Sequence, residues 1–305
     1  MTTLPDSLEQ LRGTIGVWTF AQEGVSAERS GDIAAELEGL GYAAMWLPEA
    51  WGREAFTNAG LMLAATSTLT IATGIANIWA RDAVAANNAA KTLNAAYDDR
   101  FVLGLGVSHR PLVERLRGHE YVSPVTAMRE YLTAMDAAPM MAPEGERRVA
   151  KVIAALGPKM LEIGATLADG VHPYLVTPEH TARAREAVGE KFVGVEQAVV
   201  LGQSREEFLK RAHAHLGFYT GLENYTNNWR RLGFGDEDFV RGGSERLCET
   251  LVVHGDEAAV LARVNEHRRA GADHVCLQVL SDETNAPPLD EWRRLSEILR
   301  ARDAN

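Results

Sequence analysis

Short apolar runs in this chain each end in residues able to do chemistry. Trp18 and Thr19 close residues 14–20, Glu49 and Trp51 follow 42–47, and Gly74, Ile75 and Asn77 end the run from 69. Ser108 and His109 follow 101–107, Gly157, Pro158 and Lys159 follow 148–156, and His172 and Tyr174 lie in 170–176. Glu49 suits general acid–base work, or pairs with Arg53 in its own loop. His109, after a glycine-bearing strand, suits proton transfer or satisfies a loop carbonyl. Gly157-Pro158-Lys159 reads as a helix start at which free N–H groups and a lysine could take a phosphate; the alternative is an ordinary helix start with a solvated lysine. Trp18, Trp51 and Trp79 suit the wall of a pocket for a flat ring, or a packed core.

Metal chemistry fits less well. His213 and His215 form an HxH pair, but on a helix positions i and i+2 face different ways, and no HExxH occurs. Metal-binding barrel hydrolases carry such a pair after their first strand, where this chain has Val17-Trp18-Thr19. No metal site is expected.

Those residues need a scaffold. Residues 69–109 read strand, helix, strand: two runs apolar on both faces flank an alanine-rich segment capped by Asp82, with Val84, Leu93 and Tyr97 as its larger apolar positions. Such a crossover is right-handed and returns parallel. Further strands are expected at 14–20, 42–47, 148–156, 170–176, 196–201 and 274–280. Helices lie between them: one closed by Gly41, one over 124–138, one opened by Thr177-Pro178-Glu179, one by the capping box Ser204 to Glu207, and others over 256–270 and 289–302. An aromatic-rich insertion is expected at about 218–243. Eight strands alternating with helices imply a (β/α)8 barrel in a single domain over 1–305, with chemistry at the carboxyl ends of the strands. A doubly wound open sheet fits less well, because the segment from Gly104 to His109 lacks the third glycine of a dinucleotide fingerprint.

Composition narrows the function. The 305 residues are 46% hydrophobic and 24% charged, with a net charge of −11 and a pI near 5.4. No run of lysine or arginine offers a nucleic-acid footprint. Two cysteines without a CxxC exclude a disulfide framework and fit a reducing cytoplasm. The N-terminus has no signal-peptide pattern, and the uncharged stretch 55–80 is too often interrupted by Gly, Thr, Ser and Asn to span a membrane.

Five segments, ELEGLGYAAMWLPEAWGREAF, LTIATGIANIWARDA, RFVLGLGVSH, AALGPKMLEIGATLADG and PYLVTPEHTARARE, in that order, resemble the luciferase-like monooxygenase superfamily, and within it the oxidoreductases that use the deazaflavin coenzyme F420. The resemblance implies a (β/α)8 barrel, a homodimer, and an isoalloxazine-type ring in the barrel mouth. It places a non-prolyl cis peptide at Gly74-Ile75, behind the ring, with Asn77 on the ring's polar edge and Ala155, Leu156, Gly157, Pro158 and Lys159 in the cofactor-phosphate loop. It adds Ser108 and Tyr174 to the cofactor side. Trp18, Trp51, Tyr225 and Trp229 fall to the substrate pocket, the last two with Phe234 in a lid. Sugar-phosphate dehydrogenases of the superfamily have a histidine after strand two and a glutamate after strand four. Here Glu49 and His109 reverse that order, which keeps an acid–base pair but argues against a sugar-phosphate substrate. The resemblance implies hydride transfer between the deazaflavin and a small organic substrate. The alternatives are an FMN-dependent monooxygenase and a non-catalytic flavin-binding barrel.

Overall fold

A computed structural model describes residues 4–240, 242–281 and 286–303. Its strands are β1 (Thr14–Trp18), β2 (Ala44–Leu47), β3 (Thr70–Thr73), β4 (Ala76–Asn77), β5 (Phe101–Gly106), β6 (Ala150–Ile153), β7 (Gly170–Val171), β8 (Phe192–Leu201), β9 (Val252–Gly255) and β10 (His274–Val279). All pairings are parallel. β1, β2, β3, β5, β6, β7, β8 and β10 follow one another round a ring that β10 closes by pairing with both β8 and β1, as in Cys276 opposite Glu196 and opposite Gly16. This is the eight-stranded barrel that the alternating pattern implies.

The observed elements follow local chemistry. Ser26 caps the helix Ala27–Leu40 by accepting from Arg29 N, and Gly41 ends it at φ 89°. Asp82 caps Ala83–Ala96 by accepting from Ala85 N. The buried face of that helix differs from the expected one. Ala83, Ala86, Ala90 and Asn94 face the barrel, while Val84 is 42% exposed. Small side chains let this helix lie close to the strands, so the larger residues take the flanks.

Two strands were not legible in the sequence. β4 is a two-residue continuation of β3 beyond Gly74-Ile75, pairing Asn77 with Gly106. β9 lies after the insertion and pairs Val252–Gly255 with Ala198–Leu201, on the edge of β8 that the short β7 leaves free. The insertion itself holds the helix Glu223–Arg231 and a 3₁₀ turn at Asp236–Phe239.

The barrel interior is packed with rings. Trp46 stacks on His172 with centroids 4.2 Å apart, and its Nε1 donates to His274 Nε2 at 3.2 Å. That bond makes His274 Nδ1 the protonated nitrogen, which donates to Thr14 Oγ1 at 2.9 Å. His172 Nδ1 likewise donates to the Gly194 carbonyl at 2.9 Å. Burial lowers the pKa of both histidines, His172 to about 4 and His274 to about 3, so both rings are neutral. Glycine makes room where strands or rings approach: a Cβ on Gly16 would lie 2.7 Å from His274 Nε2, and one on Gly104 would lie 1.9 Å from the Thr73 carbonyl oxygen. Gly104→Ala is therefore expected to cost at least the ~3 kcal/mol at the top of the overpacking range, because the obstacle is backbone. Urea unfolding of the variant measures it, and a loss under ~1 kcal/mol would show that the strands can part cheaply.

Candidate active site

Above the Trp46 stack, at the carboxyl ends of the strands, lies a cavity of about 1210 Å³. Trp18, Gly74, Ile75, Tyr174 and Gln278 form its floor. The Gly74-Ile75 peptide is cis, as the resemblance implies. Trp18 Nε1 donates to the Gly74 carbonyl at 3.0 Å, and a Cβ on Gly106 would lie 2.4 Å from Ile75. Glycine at 106 thus clears the space that Ile75 fills.

One side of the cavity is built by the end of β5. Ser108 takes φ 54°, a left-handed conformation uncommon outside glycine, and Tyr121 donates to its carbonyl at 3.3 Å. His109 follows, its ring 5.8 Å from those of Phe218 and Tyr225. Among the described residues the imidazole has no hydrogen-bond partner, so the loop-carbonyl reading is not what the structure shows. Burial lowers its pKa to about 4, and the neutral ring can accept a proton.

Across the cavity, the loop Ala155 to Lys159 leads into the helix Pro158–Leu167, which has proline in its first turn and no side-chain cap. His180 Nε2 donates to the Leu156 carbonyl at 3.0 Å and holds the loop. Beside it stands Arg231, whose guanidinium would be 3.8 Å from a Cβ on Gly157. Neither Lys159 nor Arg231 has an acidic partner among the described residues. Two uncommitted cations beside an open helix start fit a phosphate-bearing cofactor.

Other expected site residues are committed elsewhere. Glu49 borders the cavity, but its carboxylate accepts Asn77 N at 2.7 Å, Arg81 Nη1 at 3.0 Å, Ala55 N at 3.2 Å and a second bond from Arg81 Nη2. Four bonds fill the lone-pair sites of a carboxylate, so none is left for a substrate proton. Nor does it pair with Arg53, whose guanidinium goes to the Gln22 and Val25 carbonyls. Asn77 does not line the cavity: its Oδ1 accepts Trp79 N at 2.9 Å in a local turn. Trp229 is fully buried and donates to the Leu175 carbonyl at 3.2 Å, so it anchors the insertion and does not face the cavity. Trp79 and Phe234 also lie off the cavity. Trp51 stands at the mouth, 72% exposed.

Tyr174 is a hub. Its hydroxyl donates to Gln278 Oε1 at 2.8 Å and accepts from the Tyr219 hydroxyl at 3.2 Å, tying the floor to the insertion. Sequence reasoning missed Gln278, Tyr219 and Arg231. A glutamine inside the apolar run HVCLQVL was a visible signal, whereas Arg231 in the last turn of its helix reads as an ordinary complement to the helix dipole. Among the described residues, no three His, Cys, Asp or Glu side chains are placed to hold a metal, and no helix is long and apolar enough to cross a membrane.

A parallel barrel with a ring-lined cavity and an uncapped helix start at its carboxyl face defines a (β/α)8 protein with its pocket where such barrels bind small molecules. Over residues 13–274 the chain matches the luciferase-like monooxygenases, and it belongs to that family. It is 25% identical over 311 residues to a Mycobacterium tuberculosis protein named "Putative coenzyme F420-dependent oxidoreductase", covering 88% of this chain and 87% of the other. Among solved structures, an F420-dependent secondary alcohol dehydrogenase bound to an F420-acetone adduct superposes with a TM-score of 0.76 at 12% identity, over 95% of this chain and 99% of that one. The oxygenating constituent of the Pseudomonas putida 3,6-diketocamphane monooxygenase, bound to FMN, superposes with a TM-score of 0.70 at 13% identity, over 93% and 96%. These likenesses show the shared fold.

The bonding of Glu49 yields a prediction. Glu49→Ala leaves the largely buried Arg81 with Glu54 as its remaining carboxylate at 2.8 Å and orphans the Asn77 and Ala55 amides, and is expected to cost about 1–3 kcal/mol in stability. Unchanged stability with lost turnover would instead make Glu49 the proton carrier.

Proposed function

We propose that this chain is an oxidoreductase that transfers a hydride between coenzyme F420 and a small organic substrate, with His109 moving the accompanying proton. The observation that carries the reading is the His109 imidazole, neutral and without a hydrogen-bond partner among the described residues, in a cavity also lined by Gly157, Lys159 and Arg231. The family membership and the mycobacterial relative's printed name support the cofactor class. At about 1210 Å³ the cavity exceeds the ~300–1,000 Å³ usual for one small ligand, which leaves room for a cofactor ring beside a substrate.

When bound, the deazaflavin supplies or accepts the hydride. The protein's residues do the rest. Lys159 and Arg231 would hold the phosphate, and Gly74 and Ile75 would lie against the ring. The aromatic walls exclude water. His109 takes a proton from a substrate hydroxyl during oxidation and returns it during reduction.

Fluorescence titration with oxidised deazaflavin coenzyme and, separately, with FMN tests the cofactor. Tighter deazaflavin binding is expected, and preferential FMN binding would move the chain to the monooxygenase alternative. Arg231→Ala should weaken coenzyme binding by about 10–100-fold, as loss of a charge-assisted bond implies. His109→Ala should lower turnover by about 10²–10⁴-fold, and unchanged turnover would remove it from the proton step. Because the lowered pKa keeps His109 unprotonated, alcohol oxidation should hold level down to about pH 5 and fall as pH drops through about 4. A fall already centred near 6.5 would show an ordinary, solvated imidazole.

A further inference from the structure

Half of the cavity is left for a substrate, and its chemistry is specific. The walls there are Phe20, Trp51, Phe218, Tyr219, Tyr225 and His109. Its nearby charges balance. Lys210 and Arg211 border the cavity and share Glu207 at 3.2 and 3.0 Å, and Arg211 also donates to the Leu280 carbonyl at 3.2 Å. Glu23 supplies the second negative charge and accepts the Arg53 backbone N at 2.9 Å. A charged substrate group would therefore lose its hydration against the aromatic walls without meeting a net opposite charge.

Among the described residues, the Tyr225 hydroxyl and the His109 ring are uncommitted here. Tyr225 borders the cavity, is only 7% exposed, and is held by ring packing against Tyr219 at 4.9 Å and Trp229 at 5.7 Å. Among the described residues its hydroxyl makes no hydrogen bond, although Tyr174 and Tyr219 beside it spend theirs. The ring of His109, equally unpartnered, is 5.8 Å away. The Tyr225 side chain is buried while its hydroxyl oxygen stays accessible, so it is free to bond a ligand in the cavity.

We propose that the substrate is an uncharged aromatic alcohol or the corresponding ketone, with its oxygen held between the Tyr225 hydroxyl and the His109 imidazole. The inference rests on the hydride-transfer reading and names its substrate class. In oxidation the alcohol O–H bond breaks and its proton goes to the bare nitrogen of His109. The carbinol C–H bond breaks and leaves with its electron pair as hydride to the oxidised coenzyme. The former O–H pair becomes the C=O π bond, so the alcohol is oxidised and the coenzyme reduced; ketone reduction reverses every transfer. Tyr225 keeps its proton throughout, since burial pushes its pKa well above the ordinary value, and it donates to the oxygen most strongly when negative charge gathers there.

The test uses the full chain and acetophenone labelled with ¹³C at its carbonyl, with and without saturating deazaflavin coenzyme. Saturable binding is expected, with the bound carbonyl resonance shifted downfield of free ketone. In Tyr225→Phe that shift should shrink and the dissociation constant should rise about tenfold. Glucose 6-phosphate should not compete. An identical shift in both proteins, no saturable ketone binding, or tighter binding of glucose 6-phosphate would overturn the proposal. The coenzyme titration on the same samples judges the hydride-transfer reading separately: if it fails while the ketone result holds, the cofactor is wrong and the oxygen clamp stands.

Discussion

The active face depends on how closely β3 and β5 approach. No side chain can stand at position 104, where the Thr73 carbonyl oxygen would meet a Cβ at 1.9 Å. Thr73 exploits the gap: its hydroxyl donates to the Gly104 carbonyl at 2.7 Å and accepts Gly104 N at 2.8 Å. This clasp lies directly before the Gly74-Ile75 peptide, and Gly106 leaves Ile75 the room to sit inward. The cavity floor, the short β4 beyond it, and the Asn77 amide that binds Glu49 all follow from that contact.

Around the cavity, polar groups divide into those the fold consumes and those it leaves open. Glu49, Asn77, Tyr174 and Trp229 are consumed, each by bonds that fix one loop or element against another. His109, Tyr225, Lys159 and Arg231 are left open. The distinction is physical: a group already bonded within the fold must break that bond to meet a ligand, whereas one that faces the cavity or solvent unpaired need not. The proposed binding and proton transfer draw on the second set, of which Lys159 and Arg231 are exposed.

The sequence revealed the architecture through periodicity and capping. Apolar runs, the Asp82 cap and Gly41 each signal locally, and those signals place the barrel and its chemical end. The helix start at Gly157-Pro158 was legible for the same reason, because glycine and proline at a helix start have local meaning. Glu49 was not. Whether a carboxylate is free or saturated depends on Arg81, 32 residues away, and on a backbone amide in another loop. β9 was hidden because its partner is the spare edge of a strand more than 50 residues earlier, and a four-residue run carries no such information. Arg231 was hidden likewise, since its neighbour Gly157 belongs to a loop more than 70 residues earlier in the chain.

The pairing of β9 with β8 bears on how this protein could change over time. The chain leaves the barrel at Gly202 and returns at Gly255, and Gly202 N donates to the Gly255 carbonyl at 2.7 Å. The whole roof is thus a loop pinched shut at its base. Closing a longer or shorter loop at a fixed base alters chain entropy only slowly with length. Length changes inside that loop that keep β9, the Trp229–Leu175 anchor and the Tyr219–Tyr174 bond leave the barrel strands undisturbed. The roof can therefore diverge faster than the barrel beneath it.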